Sequence, residues 1–464
     1  MPSAYLARPE RSRGALAQTH HGRPSTSLGT SGGLVALIFS LTLASCSPGG
    51  SDSEIYVQRF FGECDALYGN VTDISKAEGE CGIVTALFNR FEAENPDVDL
   101  AVNVVAWPGY AQLAAQMAAK DPPDLVTMHQ GVISDYVSRG LLEPMDGILR
   151  EAGVDPKGFT AASRRGVTKN GRIYGLPWDT IGGLFHVNTR LFDQAGLMRD
   201  GKPILPRSPE ELLAHARQFK RATGKPYLIQ SQVNDPATHV RNLYTYLFAQ
   251  GAVIFPDAKH VDLQTPEARR VVKLFRTIER EGLTTRNQDN PAAIASFLNG
   301  DGGAFPTGTW MIGSFEQEAA TPGRPLSGSY AVHPYPRLWG APTPFVDGHA
   351  WVMPKRERTG EERRALVRLI RFMADHNYDW SRTGHLPAFQ AVVESEQFRS
   401  LPHRRDIAPL AETGALLPGY VQRQGAIEGL IGEELQAAIS GQKPIDKALA
   451  DAERRVNSLL AQTG

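Results

Sequence analysis

The chain has 464 residues, too many for one simple core, so two compact lobes are expected. Its 49 basic and 50 acidic side chains leave a formal net charge of -1, which excludes a general electrostatic attraction to nucleic acid or to an anionic membrane. Any partner is therefore recognised locally.

Residues 1–45 read as an export signal. Arg8, Arg11, Arg13 and Arg23 precede an apolar run from Leu34 to Leu43, which is too short to span a bilayer and suits a signal-peptide h-region. The run ends in Leu43-Ala44-Ser45-Cys46, which resembles a bacterial lipobox, where cleavage leaves the cysteine as a lipid-bearing N-terminus. Cys46 is expected to carry lipid, and residues 46–53, rich in Gly and Ser, to form a flexible tether. No other stretch is long and apolar enough for a membrane helix.

Two further cysteines, Cys64 and Cys81, then lie in an exported chain, where thiols oxidise. A disulfide between them is expected, worth about 3 kcal/mol in the chain-entropy model; two buried free thiols are the alternative. No Cys-x-x-Cys motif or cysteine-histidine zinc spacing is present, and neither a metal nor a cofactor is expected.

Ile55 to Phe61 is a β-branched and aromatic run that reads as the first strand. A helix follows, with Ile83, Leu87 and Phe91 on one face and Asn95-Pro96 as its stop. Val98 to Val105 alternates as a second strand and delivers Trp107 and Tyr110 to a loop. An alanine-rich helix from Ala111 to Lys120 ends at Asp121-Pro122-Pro123, and Leu125 to Met128 is a third strand running into His129 and Gln130. Strand and helix alternate, so a largely parallel sheet flanked by helices is expected, with ligands beyond the carboxyl ends of its strands. That rule brings Trp107, Tyr110, His129 and Gln130 to a cleft.

The central stretch is Gly171-Arg172-Ile173-Tyr174-Gly175-Leu176-Pro177-Trp178-Asp179 followed by Gly182-Gly183. A turn feeds a short strand, proline ends its ladder, and glycines let the backbone pass close to a neighbour, as a chain crossing a cleft requires. Further on, Ser208-Pro209-Glu210-Glu211 and Thr265-Pro266-Glu267 open capped helices. Ala304 to Trp310 reads as a strand and loop, and Phe345 to Met353 as a strand carrying Asp347, Gly348 and His349. Glu361 to Asp375 is helical, and the tail closes with a helix whose Leu449, Ala452, Val456 and Leu460 share a face.

Several pieces in this order resemble the extracellular solute-binding protein family 1, the carbohydrate-binding subunits of bacterial ABC importers. They are Phe91-Glu92-Ala93-Glu94-Asn95-Pro96, Pro123-Asp124-Leu125-Val126, Gly140-Leu141-Leu142-Glu143-Pro144, Tyr174-Gly175-Leu176-Pro177-Trp178-Asp179, Asn188-Thr189-Arg190-Leu191-Phe192, Gly308-Thr309-Trp310 and Gly384-His385-Leu386-Pro387. The resemblance implies an α/β, two-lobed periplasmic-binding fold of type II with three hinge crossings, each lobe a mostly parallel sheet. Residues 54–178 and 337–376 would form one lobe, and 179–336 and 377–464 the other.

It also implies a sugar in the cleft between the lobes. A sugar needs flat aromatics for its C–H faces and fixed polar groups for its hydroxyls. Trp178, Trp310 and Trp351 are expected as platforms, with Asp179, Asp347, His349 and Gln130 as hydroxyl partners; Arg423 and Tyr420 enter by analogy of family position alone. Trp351 could equally be core, and His129 an ordinary loop histidine. The implied partners are a neutral saccharide or polyol, a permease with a separate ATPase, and the membrane through the lipid anchor, for a monomer on the periplasmic side that performs no catalysis.

Two other readings stand beside this one. A binding protein for glycerol phosphate or another acidic solute would want arginines at the site, whereas the stretches assigned to the cleft carry Asp179 and Asp347. A secreted carbohydrate-active enzyme would use those two carboxylates as acid and base. Motifs for zinc-protease, serine-hydrolase and nucleotide chemistry are absent from the sequence.

Overall fold

The computed structural model describes residues 53–463, apart from Asn234, Pro236, Ala341 and Pro342. The expected export signal, Cys46 and the expected tether up to residue 52 lie outside the described residues. Among the described residues no helix is long and apolar enough to cross a membrane.

The strands in chain order are β1 (Ser53–Arg59), β2 (Val98–Val104), β3 (Leu125–His129), the pair β4 (Thr168–Lys169) and β5 (Arg172–Ile173), β6 (Leu176–Pro177), the long β7 (Asp179–Asn188), the pair β8 (Met198–Arg199) and β9 (Lys202–Pro203), then β10 (Ala304–Gly308), β11 (Tyr330–Pro334), β12 (Val346–Asp347), β13 (His349–Val352) and β14 (Leu386–Pro387). One sheet has the order β2-β1-β3-β13-β6. Its β1 pairs in parallel with β2 and β3, because helices carry the chain back between them, while β13 lies antiparallel to both β3 and β6. Ile55 and Val57 of β1 are fully buried, as both faces of a central strand should be, whereas β2 alternates inward Val98 and Leu100 with outward Asp99.

The second sheet departs from the parallel arrangement expected for it. β7 is its axis, and β10, β11, β12 and β14 all pair with β7 antiparallel. After Asn188 the chain passes through helices and re-enters the sheet with Ala304 opposite Val187, the end it left, so β10 runs back along β7. Hydrophobic runs carry no sign of direction, and the path of the intervening helices decides it.

Two strands pass from one sheet to the other. β6 leads through Trp178 into β7, and β12 leads through Gly348 into β13; a third passage follows the helix Asn377–Ser381 into β14. At Gly348 a Cβ would stand 2.3 Å from the Asp179 carbonyl oxygen, so only glycine lets these two crossings touch. The expected strand from Phe345 to Met353 is thus broken at its glycine.

Two large apolar cores flank the crossings. One holds Ile55, Leu87, Phe91, Trp178, Trp351, Leu369 and Trp380; the other holds Phe185, Phe219, Tyr244, Phe275, Leu435 and Val456. Leu338 and Phe345, beyond residue 337, pack in the second core, and Trp380, beyond residue 376, packs in the first. Cys64 and Cys81 are joined in a disulfide that fastens the loop after β1 to the helix Gly79–Glu94.

Helix ends follow their caps. Ser208 Oγ accepts from the Glu211 N–H and Thr265 Oγ1 from the Ala268 N–H, opening the helices Pro209–Thr223 and Pro266–Arg280. In the closing helix Ile445–Ala461, Asp451 is held by Lys443, by Arg454 at 2.6 Å and by Lys447 at 3.4 Å. Its hydrogen bonds to Lys443 and Arg454 keep its carboxyl well below the usual range. A carboxyl depressed by folding stabilises the native state above its unfolded value, about pH 4, and loses that contribution as pH falls towards the folded value. Asp451→Asn should therefore melt below the parent protein at pH 7, with the gap closing towards pH 3; melts of both proteins at the two pH values check this.

Candidate functional site

Beside the crossings, between the loops after β2 and β3 on one side and the segment before the helix Gln424–Ile439 on the other, lies a cavity of about 850 Å³. Its walls include Trp107, Tyr110, His129, Asp347 and Arg423, five of the residues expected at a ligand site. The cavity lies beyond the carboxyl ends of β2 and β3, where ligands are expected in a parallel sheet.

Trp107, His129 and Asp347 are connected. The indole N–H of Trp107 can only donate, and it donates to His129 Nε2 at 3.2 Å. The ring proton of neutral His129 therefore sits on Nδ1, which faces Asp347 Oδ2 at 3.3 Å. Asp347 Oδ1 accepts from the Gly131 N–H at 3.0 Å. Burial works against the Asp347 charge, yet the His129 ring and the N–H groups of Gly348 and Gly131 hold its carboxyl below the ordinary range. Burial also pushes His129 down, the Asp347 carboxylate opposing, which keeps the ring neutral. The main-chain N–H of His129 donates to the Tyr110 hydroxyl at 2.9 Å, so the tyrosine positions the loop. Trp107 is 63% exposed, an indole face open to a ligand.

A small recess of about 70 Å³ continues from Asp347 past Gly183 to Trp310 and Tyr335. The Arg241 guanidinium lies 5.8 Å from the centre of the Trp310 ring, within cation–π range. Glu428 shares both cavities with Arg241; burial pushes its carboxyl up, and the Arg241 charge opposes this. A further recess of about 350 Å³ runs from Asp347 to Lys169, whose ammonium burial pushes down to about 8 against the pull of Asp347 and Asp135.

Other expected ligand residues are placed elsewhere. Trp178 has no exposed surface: its ring centre lies 5.4 Å from that of Trp380 and 6.1 Å from that of Trp351, in the first core. Trp351 is likewise fully buried against Phe88. Asp179 is fully buried with both oxygens engaged, Oδ1 by the His349 N–H at 2.8 Å and Oδ2 by His349 Nδ1 at 2.9 Å and Trp380 Nε1 at 2.7 Å. His349 and Gly348 are therefore parts of the crossing and do not line the cavities. Gln130 reaches the Lys169 recess, but its amide nitrogen donates to the carbonyls of Asp179 and His349, tying the crossings together. Tyr420 donates its hydroxyl to the Phe255 carbonyl and stands outside these cavities. Asp179 and Asp347, the pair expected of a carbohydrate-active enzyme, do not share a cavity, because Asp179 is buried in the crossing.

Arg241, Glu428, Asp235, Tyr335, Arg139 and Lys169 were not anticipated at the site. Arg241 had one legible signal: it is the one Lys, Arg, Asp or Glu in the helix Ala237–Ala249. The others sit on segments whose neighbours are distant in sequence.

The family model described as bacterial extracellular solute-binding protein matches residues 86–406. The chain belongs to this family. Among curated relatives, this solute-binding protein is 24% identical over 380 residues to a binding protein of Brucella abortus, covering 80% of this chain and 88% of that one. It is 23% identical over 410 residues to the sn-glycerol-3-phosphate-binding periplasmic protein UgpB of Salmonella typhimurium, covering 82% and 90%. Among solved structures, the sugar-binding protein MalE from Xanthomonas citri superimposes with a TM-score of 0.72 at 17% identity, over 88% of this chain and 98% of that one. At that identity the likeness establishes the two-lobed fold of the solute-binding protein.

Proposed function

We propose that the protein is the substrate-capturing subunit of an ABC importer, taking a neutral saccharide or polyol into the cavity at Asp347 and delivering it to a membrane permease driven by a separate ATPase. The observation that carries this reading is the exposed Trp107 indole held beside an ionised Asp347 through neutral His129, which offers a flat apolar face next to a fixed acceptor for hydroxyls. Arg139, Arg241 and Arg423 in the main cavity are matched in number by Asp135, Asp347 and Glu428, so its lining holds no excess of basic over acidic side chains for an anionic ligand. Closure is a population shift: solute held by both sides favours the closed form, which the permease recognises. The protein acts as a monomer on the periplasmic side, anchored by lipid at Cys46, and performs no chemistry on its solute.

The same three arginines support a second reading, a phosphorylated polyol, since the sequence alone put no arginine but Arg423 at the site, and a relative bears the name of a glycerol-phosphate binder. A thermal-shift screen separates the two, using neutral mono- and disaccharides, polyols, sugar acids and glycerol phosphates. A ligand at ~100 times its dissociation constant stabilises by roughly 2.7 kcal/mol, a shift of a few degrees. A shift with one neutral class is the expected result; shifts confined to phosphates would replace it with the second reading, and hydrolysis of a glycoside would overturn both.

A further inference from the structure

The group that the crossings enclose around Asp179 is more than a hydrogen-bond network. Thr383 has one hydroxyl proton and gives it to the Trp380 carbonyl at 2.7 Å, so towards His385 Nδ1, 2.7 Å away, its oxygen accepts. The hydrogen of neutral His385 is therefore on Nδ1. Its Nε2 is a bare lone pair, fully buried and without a hydrogen-bond partner. That lone pair faces two carboxylates, Glu80 Oε1 at 3.2 Å and Asp179 Oδ2 at 4.0 Å. Lone pairs facing one another repel unless a proton or a metal cation lies between them.

We propose that Asp179, His349, His385 and Glu80 form a binding site for a divalent metal ion of the zinc class, distinct from the solute cavity and independent of which solute that cavity takes. One donor atom from each of Asp179, His349 and His385 lies within 4.8 Å of the others. Nitrogen and oxygen ligands at 2.0–2.2 Å from a tetrahedral zinc stand ~3.3–3.5 Å apart, and the 3.2 Å between His385 Nε2 and Glu80 Oε1 is close to that edge. Two imidazoles and two carboxylates are a donor set that suits zinc. The hydrogen bond from His385 Nδ1 to Thr383 is the outer contact that fixes a ligating tautomer. The ion would replace the proton that His349 Nδ1 now shares with Asp179, so one proton leaves for each ion bound. Glu80, its side chain 37% exposed, stands at the solvent end and provides the way in. An ion here would bind together the start of β7, the β12–β13 crossing and the segment before β14, the three passages between the sheets.

The sequence showed no such site because its ligands are spaced from Glu80 to His385 with no local motif. The test is to strip the purified protein with a chelator, then titrate it with Co²⁺ and with Zn²⁺. One Co²⁺ per chain with the strong visible bands of a four-coordinate site is expected, together with a rise of about a few degrees in the unfolding midpoint with saturating Zn²⁺ and a calorimetric signal that varies with the buffer's proton-uptake enthalpy. His385→Gln should abolish the bands, and Glu80→Gln, at the exposed end where folding is least disturbed, should weaken Zn²⁺ binding at least tenfold. No stoichiometric binding, binding unaltered in Glu80→Gln, or a doubly protonated His385 in nitrogen NMR spectra of the stripped protein at neutral pH would overturn the proposal.

Discussion

Trp178→Ala is expected to destabilise the protein by about 3–5 kcal/mol, and the effect on solute affinity should be secondary. The indole is fully buried between Trp351 and Trp380, and the chain on both sides of it is tied down, Trp178 N–H to the His349 carbonyl at 2.8 Å and its own carbonyl to Asn377 at 2.7 Å. With the backbone held, neighbouring rings cannot collapse into the space, so the cavity term adds to the lost transfer energy. Trp107→Ala should behave in the opposite way, because its ring is 63% exposed: stability within about 0.5 kcal/mol of the parent, but weaker solute binding. Urea unfolding and ligand titration of the two variants side by side provide the check. A stable Trp178→Ala that had lost its ligand would restore Trp178 to the binding surface and contradict its assignment to the core.

Asp347→Asn should weaken binding of the solute identified by the thermal-shift screen about 10–100-fold, the range expected when a charged hydrogen-bond acceptor worth ~1.5–3 kcal/mol is lost. The reason extends beyond direct contact. Both carboxylate oxygens now face N–H donors, Gly131 on one and His129 on the other. An asparagine must turn its NH₂ towards one of them. If it meets His129, relief requires the imidazole to move its proton to Nε2, where it would oppose the Trp107 N–H and release that indole from its position. Nitrogen chemical shifts of His129 read this tautomer change directly. Unchanged affinity in Asp347→Asn would remove Asp347 from recognition, whatever the imidazole does.

These two variants also mark the division between what was legible in advance and what was not. Trp178 and Asp179 carry the most family-like motif in the chain, and that motif did locate a crossing between the sheets. It did not say which way the side chains turn. β7 begins at Asp179, and there the chain leaves one sheet for another, so alternation within a single sheet cannot assign the inward face. The indole turned into the first core and the carboxylate towards His349 and Trp380. Asp347, on the other crossing, did reach the cavity, because Gly348 follows it and lets β12 end where β13 begins.

The amino-acid sequence by itself determined the elements, through periodicity, caps and proline stops: the helix ending at Asn95-Pro96, the capped helices after Ser208 and Thr265, the closing helix with Leu449 and Val456 buried, and the strand ends that carry Trp107 and His129. Those signals are local, and local physics is enough to write them. Tertiary structure alone decided the antiparallel second sheet, the arrival of Arg241 and Glu428 beside Asp347, and the meeting of Asp179, His349 and His385 around one buried point with Glu80 beside His385. Each of these joins residues far apart in the chain, and the free energy that selects them comes from packing and from satisfying buried charge, which no stretch of sequence expresses alone.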